Sequence, residues 1–319
     1  MFARVTIGNV VFDQVNSFSI ASSVKNISDT AVVVLAKEYK KLAGKPAIEY
    51  IKAGDAVKIE CGYENDLHTE FTGFVKYGIT SEFPLLIECD ELYPLRQTDF
   101  TLSYEKVSLK QLLNDIAGSY KIECPDTNLG KLVIRHASTV EILNDLKDKW
   151  GLFTTIQNNV LSVGWPFDYK PSFTKLHTYY IEGNTKNARY LRYRFIEDYN
   201  AKVNIRITGT DGRNKTITAY SNERNKEDSR TVASIDARNI TEADALLRAK
   251  SLLKQNVYEG FEGYLVGYCV PRVKPGDSVE IVNKRQPTRN GRYLVEAVNL
   301  LFSDTGGIDR EVYISYKIA

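Results

Sequence analysis

Several kinds of chemistry are excluded by what this chain lacks. It has three histidines, His68, His136 and His177, far apart and without a His, Cys or carboxylate at metal-ligand spacing such as HxxxH, so no metal site is expected. Its four cysteines, Cys61, Cys89, Cys124 and Cys269, form no CxxC pair, and the chain opens Met1-Phe2-Ala3-Arg4-Val5 without a secretory apolar stretch. Reduced thiols in a protein folded in a cytoplasm are the expectation. No apolar run approaches the roughly 20 residues that span a bilayer, so membrane insertion is not expected. Neither sign of charge dominates, since 42 Lys and Arg meet 40 Asp and Glu for a net charge of +2. A field that weak does not hold nucleic acid, and no specific nucleic-acid binding is expected. No stretch matches a P-loop, a dinucleotide fingerprint or a G-x-S-x-G elbow, so the chain nominates neither a cofactor nor a nucleophile.

What is abundant is aromatic and strand-forming. Twenty tyrosines and thirteen phenylalanines stand against one methionine in 319 residues, 43% of them hydrophobic, which suits a strand-rich chain of two to three domains. One stretch occurs twice. Lys52-Ala53-Gly54-Asp55-Ala56-Val57-Lys58-Ile59 returns as Lys274-Pro275-Gly276-Asp277-Ser278-Val279-Glu280-Ile281. Each copy has a Gly-Asp turn, then apolar residues at alternate positions, and a later glycine, Gly73 or Gly291, opening another apolar run. Glycine supplies positive φ and aspartate hydrogen-bonds the turn backbone, so Gly54, Asp55, Gly73, Gly276, Asp277 and Gly291 read as turn geometry in two related tube-like β-barrels.

Residues 1–99 read as the first barrel. Val5 and Ile7 lead through Gly8-Asn9 into Val10-Val11-Phe12 as a hairpin, and Ala31 to Leu35 reads as a strand buried on both faces. Lys37 to Lys41 reads as a solvated loop or helical turn, and Phe71 to Tyr77 as a strand. Residues 100–165 read as a small α/β insert. Capping boxes at Ser108–Gln111 and Ser138–Glu141 start helices that Gly118 and Gly151 stop, followed by a hairpin around Asn158-Asn159. Residues 166–319 read as the second barrel. Val203 to Ile207 and Thr216 to Tyr220 form a hairpin across Asp211-Gly212, and Asn222 to Arg230 is a polar loop. A helix at about 241–256, capped by Thr241, would lie across the outside of this barrel. The fold class is mainly β with an α+β insert.

Asp304-Thr305-Gly306 matches the triplet of aspartic proteases, whose chemistry needs two such carboxylates sharing a proton; one copy is present, and a turn explains it. Carboxylates such as Glu197-Asp198 or Glu88 and Asp90 cannot be paired from sequence, so a cell-wall hydrolase stands as the rival from another class. Arg189-Tyr190-Leu191-Arg192-Tyr193-Arg194 could stack bases and neutralise phosphates. With so little net charge, Arg189, Tyr190, Arg192, Tyr193 and Arg194 read instead as a candidate protein interface.

The order of these pieces resembles the baseplate hub proteins of contractile phage tails, the late-control D family that also supplies the hub part of type VI secretion spikes. The resemblance is carried by Ala243, Leu246, Arg248, Ala249 and Leu253, then Glu259-Gly260-Phe261-Glu262-Gly263, then Lys274 to Val279, then Gly291-Arg292-Tyr293-Leu294-Val295. It implies a non-enzymatic structural protein, a homotrimer whose three chains present six similar barrels and so join a six-fold tail tube to a three-fold central spike. The implied partners are itself, the tail tube protein, a separate spike protein, baseplate wedge proteins and the tape-measure protein. The implied place is the baseplate of a virion tail or tailocin, assembled in the cytoplasm of a bacterial host. A distal tail ring or tail-associated protein built from the same barrel is the alternative.

Overall fold

The computed structural model describes the chain except residues 43–44, 64–65, 77–83, 158, 165–174, 197–202, 211–214, 222–229, 239–240, 257–258 and 319. The expected turn at Asp211-Gly212, Asn222 to Ser229 of the polar loop, Asn158, Tyr77 and the Glu197-Asp198 pair lie outside the described residues.

Strands β1 (Phe2–Ile7), β2 (Val10–Phe12), β3 (Ser17–Ser23), β4 (Thr30–Leu35), β5 (Ala56–Tyr63), β6 (Asp66–Val75) and β7 (Leu85–Asp90) come first. Then follow α1 (Tyr93–Arg96), β8 (Phe100–Ser108), α2 (Leu109–Ile116), β9 (Lys121–Glu123), β10 (Asn128–Ala137), α3 (Thr139–Trp150), β11 (Phe153–Gln157) and β12 (Val160–Gly164). Next are β13 (Leu176–Tyr180), β14 (Ala188–Ile196), β15 (Val203–Thr210), β16 (Thr216–Tyr220), β17 (Arg230–Arg238) and α4 (Glu242–Asn256). The chain closes with β18 (Gly260–Gly267), β19 (Ser278–Val282), β20 (Gly291–Ser303) and β21 (Gly307–Lys317).

Two compact units result. The first takes Met1–Pro94, Phe173–Phe195 and Phe261–Ala319, and the second takes Leu95–Ser172 and Ile196–Gly260. Segments distant in sequence thus share a unit, unlike the three consecutive domains expected with cuts after residues 99 and 165.

In the first unit, the strands run β14-β18-β21-β20-β3-β4-β7-β6-β5-β1-β2, with β19 also on β20 and β13 on β19. This 13-stranded sheet is open at both ends, which corrects the expectation of closed barrels. The reason is β20, which pairs with β19 over Gly291–Leu294 and with β3 over Ala297–Ser303. One strand therefore belongs to both halves, and they merge instead of each closing on itself. Two apolar cores remain distinct on this sheet. One gathers Val5, Phe12, Phe18, Val33, Ile59 and Ile87, with Leu300 and Phe302 from β20. The other gathers Tyr179, Phe261, Val279, Ile281 and Val312, with Tyr293, Val295 and Val298 from β20.

Strand β4 is not buried on both faces as its unbroken apolar run suggested. Ala31, Val33 and Leu35 are buried and Val32 and Val34 half-buried, because one core lies on one side only. The hairpin of β1 and β2 forms with Ile7 opposite Val10. Within the charged Lys37–Lys41 segment, Tyr39 is buried, donating to the Gln14 carbonyl (2.8 Å) with its ring edge-on to Phe12.

The second unit begins with β8 and β10, paired antiparallel, and a three-stranded sheet in which β12 lies between β11 and β9. Ser138 caps α3 as expected: its hydroxyl accepts from Glu141 N (3.3 Å), and Glu141 accepts in return from Ser138 N (2.7 Å). Ser108 accepts from Gln111 N (3.2 Å) at the start of α2. The expected hairpin of β15 and β16 is present, and β17 adds to it in parallel. Helix α4 corrects the expectation that it covers a barrel of the C-terminal half. Its Ala245 and Ala249 are buried with Ile205, Ile207 and Ala219 on that hairpin, because a three-stranded sheet needs a cover for its apolar face. Arg248 is only 2% exposed, with its guanidinium 4.8 Å from the Trp150 ring centroid, and burial lowers its pKa to about 10.

Gly151 ends α3 in the left-handed region at φ +65°, and a Cβ there would meet Leu252 Cδ2 at 3.2 Å. Gly151→Ala should therefore cost about 1–2 kcal/mol, combining backbone strain with crowding. Urea unfolding followed by circular dichroism measures it, and an unchanged midpoint would show that the helix end tolerates a side chain.

Candidate functional site

Among the described residues no group of three or more His, Cys, Asp or Glu side chains is arranged to hold a metal ion, and no helix is long and apolar enough to cross a membrane. His68 lies beside Asp66 (3.0 Å) and His136 beside Asp99 (3.2 Å), both in partly or fully exposed pairs. Asp304-Thr305-Gly306 is the turn between β20 and β21, with Gly306 N donating to Ser303 Oγ (3.3 Å). The features that the fold organises most closely are the repeated turn, the junction between its copies, and the outer strand β14.

The two turns match bond for bond. Gly54 has φ +88° and Gly276 has φ +86°. Gly54 N donates to Val75 O (2.8 Å) and Gly276 N to Val295 O (2.9 Å). The next amide, Asp55 N or Asp277 N, donates to the Lys52 or Lys274 carbonyl at 3.1 Å in both. Each carboxylate reaches back to the lysine amide, Lys52 N to Asp55 Oδ2 (2.8 Å) and Lys274 N to Asp277 Oδ2 (2.9 Å). A bond from Val75 N to Asp55 O (2.8 Å), or Val295 N to Asp277 O (2.9 Å), then starts a hairpin. Glycine is required by the positive φ, and aspartate by an amide otherwise left without an acceptor.

Beyond the turn the copies diverge. Val57 pairs with Gly73 in one hairpin, whereas its counterpart Val279 pairs with Tyr293. Gly73 and Gly291 are therefore not equivalent, a correction to the sequence reading: Gly291 stands where the first copy has Phe71. Aromatic and glycine have exchanged places along one strand face. The Phe71 ring covers Gly73 so closely that a Cβ there would meet it at 2.6 Å, so the glycine leaves the room that the ring fills. The flanking strand differs too. β1 runs antiparallel to β5, but β13 runs parallel to β19. The parallel strand brings His177 to Asp277 (3.1 Å) and Lys175 N to its other oxygen (3.0 Å), contacts peculiar to the second copy.

The copies meet at buried charges. Glu70 of β6 accepts from Arg272 Nε and Arg310 Nη2, both at 3.0 Å, and Arg272 also donates to the Thr69 carbonyl (2.9 Å). Elsewhere on the junction, Glu91 accepts from Asp29 N (3.3 Å). Burial, then the Asp29 carboxylate, push the Glu91 carboxyl up to about 7, and Lys274 of the second turn offsets part of this. Burial also raises Asp29.

Strand β14 ends the strand order of the sheet. Leu191, Tyr193 and Phe195 pack inward, with Tyr193 and Phe195 against the Phe261 ring (4.4 and 5.1 Å between centroids). The arginines are engaged within the chain: Arg189 pairs with Asp309, Arg194 with Glu262, and Arg192 donates to Tyr264 Oη (3.3 Å). Tyr190 is 41% exposed beneath Arg192 (5.4 Å from ring centroid to guanidinium carbon). Neither these pairings nor the Glu70 cluster carried a sequence signal, since their members are tens to hundreds of residues apart.

Valine at Gly54 or Gly276 would be strained by about 1–3 kcal/mol at positive φ. Thermal melts of Gly54→Val and Gly276→Val should each fall below wild type by a comparable amount; two unchanged melts would remove the requirement for glycine. The Glu91 carboxyl binds its proton more tightly folded than unfolded, so its favourable contribution is complete below about pH 4.5 and lost as pH rises through about 7. Asp29 acts in the same direction. The Glu91→Gln protein should show a flatter fall in melting temperature between those limits than wild type, and parallel curves would overturn the assignment.

No protein-family model matches the sequence, and no curated protein does. Solved structures do. The tail protein from Neisseria meningitidis MC58 aligns with TM-score 0.69 at 12% identity, covering 98% of this chain and 95% of that one. The 43 kDa tail protein of prophage MuSo2 from Shewanella oneidensis aligns with TM-score 0.64 at 15% identity, over 99% and 98%. The E. coli c3393 protein, a component of the type VI secretion system, aligns with TM-score 0.58 at 8% identity, over 99% and 77%. Nearly every residue of this chain is therefore accommodated, at low identity, by the fold of phage tail proteins.

Proposed function

We propose that this chain is the structural baseplate hub of a contractile phage tail or phage-tail-like injection particle, a homotrimer that adapts a six-fold tail tube to a three-fold central spike. The observation that carries this is the pair of Gly-Asp hairpins with matching hydrogen bonds in a single chain. Three chains then offer six similar elements, which is what a six-fold neighbour needs, while their differences leave true symmetry at three. The E. coli c3393 protein is described as structurally similar to the T4 bacteriophage tail proteins gp27 and gp5, which supports the same reading. The partners on this reading are the tube protein, the central spike protein, wedge proteins and the tape measure, and the location is the tail baseplate. The role is mechanical and not enzymatic. The outer edge of β14, with Tyr190 exposed, is where we place a subunit contact, since β14 ends the sheet among the described residues and a strand edge of that kind recruits another chain.

Mass photometry of the purified protein should give a trimer, and negative-stain class averages should show three-fold particles. Tyr190→Asp should shift the population to monomer while leaving the circular dichroism spectrum intact. Six-fold rings would favour a distal tail component instead. A monomer at high concentration, with cell-wall hydrolysis abolished by a single Asp or Glu substitution, would replace this reading with the hydrolase.

A further inference from the structure

Helix α4 buries a charge that no described residue balances. Arg248 is 2% exposed on the helix whose Ala245 and Ala249 enter a core with Ile205 and Ile207. Trp150, which packs against that core, lies 4.8 Å from the guanidinium carbon to its ring centroid. Arg248 Nε and Nη2 are buried and have no hydrogen-bond partner. Asp244 stands one turn earlier on α4, where helices match their charges, but its Oδ2 accepts instead from Thr241 Oγ1 (2.7 Å). Asp145 of α3 is taken by Lys149. Burial alone acts on the proton affinity of Arg248, with no opposing contribution from a carboxylate, and the group stays charged at neutral pH. A guanidinium buried without an anion is costly, and the Trp150 face offsets only part of this, since a ring offers no hydrogen-bond acceptor in its plane of contact.

The two orphan donors identify what is missing. Nε and Nη2 lie along one edge of the planar guanidinium, the fork that takes both oxygens of a carboxylate in parallel. One positive charge in apolar surroundings calls for one negative charge. A phosphate dianion would leave its second charge unpaired in the same core, so a monocarboxylate is the better match. Access needs little movement, because Trp150 is itself only half-buried and the side chain that covers Arg248 reaches solvent.

We propose that Arg248 is the binding site for a single carboxylate, held through Nε and Nη2 and admitted when the Trp150 ring turns aside. The carboxylate belongs to a free monocarboxylic acid or to a side chain of a second copy of this chain, and the chemistry at Arg248 is the same for both. Every residue of the site lies within the second unit, and the inference does not rest on the tail reading.

The test melts the purified full chain in Tris chloride while sodium acetate replaces sodium chloride at constant ionic strength. Wild type should gain melting temperature with acetate and saturate. Arg248→Met should show no such gain, and without acetate it should melt above wild type, because an apolar side chain then replaces an unpaired charge. Arg248→Lys, which keeps the charge but loses the fork, should need about 10-fold more acetate. A merely structural Arg248–Trp150 contact predicts the reverse, with Arg248→Met melting below wild type in every mixture. Protein concentration separates the two sources. A carboxylate from a second copy makes the wild-type melt rise with protein concentration in the absence of acetate, by more than that of Arg248→Met, whereas a free acid leaves the two proteins with the same dependence. The proposal is overturned if acetate does no more than chloride and concentration acts equally on both proteins, or if Arg248→Met responds to acetate as wild type does. Should Arg248→Met fail to fold, Trp150 emission decides, read in a Trp165→Phe protein: a saturable change with acetate and none with chloride supports the site, and equal responses overturn it.

Discussion

Strand β20 has to face two cores in turn, and the first unit depends on how it does so. Tyr293 and Val295 are buried in one core and Leu300 and Phe302 in the other, with Val298 three positions after Val295 where strict alternation would demand two. A period-two strand cannot change phase without an extra residue. Register shifts against β21 at Tyr293/Val295 and Val295/Ala297 supply it. At the same place the other neighbour changes from β19 to β3. The freed Glu296 carbonyl is not wasted: it accepts from Val24 N (2.9 Å) and Ser23 Oγ (3.2 Å), and the Glu296 carboxylate pairs with Lys25 (2.7 Å). Two adjacent register shifts and this change of partner thus make one sheet out of two repeats.

Given that continuity, the charges at the junction acquire a role. A buried carboxylate between two arginines contributes little net stability relative to apolar packing, but it tolerates no other alignment, because any slip would leave a guanidinium or carboxylate buried alone. Backbone pairing along β20 and the Glu70 cluster therefore set the relation between the repeats by different means. One acts through the hydrogen-bond ladder and the other through the cost of an unpaired charge.

The divergence of the two copies explains why one repeat can serve unequal neighbours. The turn itself is held by backbone bonds that any sequence with glycine and aspartate can make, so it is retained. The positions that follow have exchanged aromatic and glycine: Phe71 and Gly73 in the first copy stand where the second has Gly291 and Tyr293. The strand alongside is under no such constraint, and its direction is reversed between copies.

Local chemistry was legible in the sequence: the glycine-aspartate turns, the Ser138 cap of α3, the β15–β16 hairpin and the β-rich class all follow from interactions spanning a few residues. Those interactions form in any context that leaves the segment intact, so residue type and spacing suffice. The tertiary structure alone decided that the repeats share a strand and leave the sheet open, that α4 covers β15 and β16, that Gly73 corresponds to Tyr293, and that Glu70 meets Arg272 and Arg310. Each of these depends on a register or a charge pairing between residues far apart in the chain. Such choices are made by the burial of whole faces and by the penalty for unpaired groups, neither of which any short stretch of sequence records.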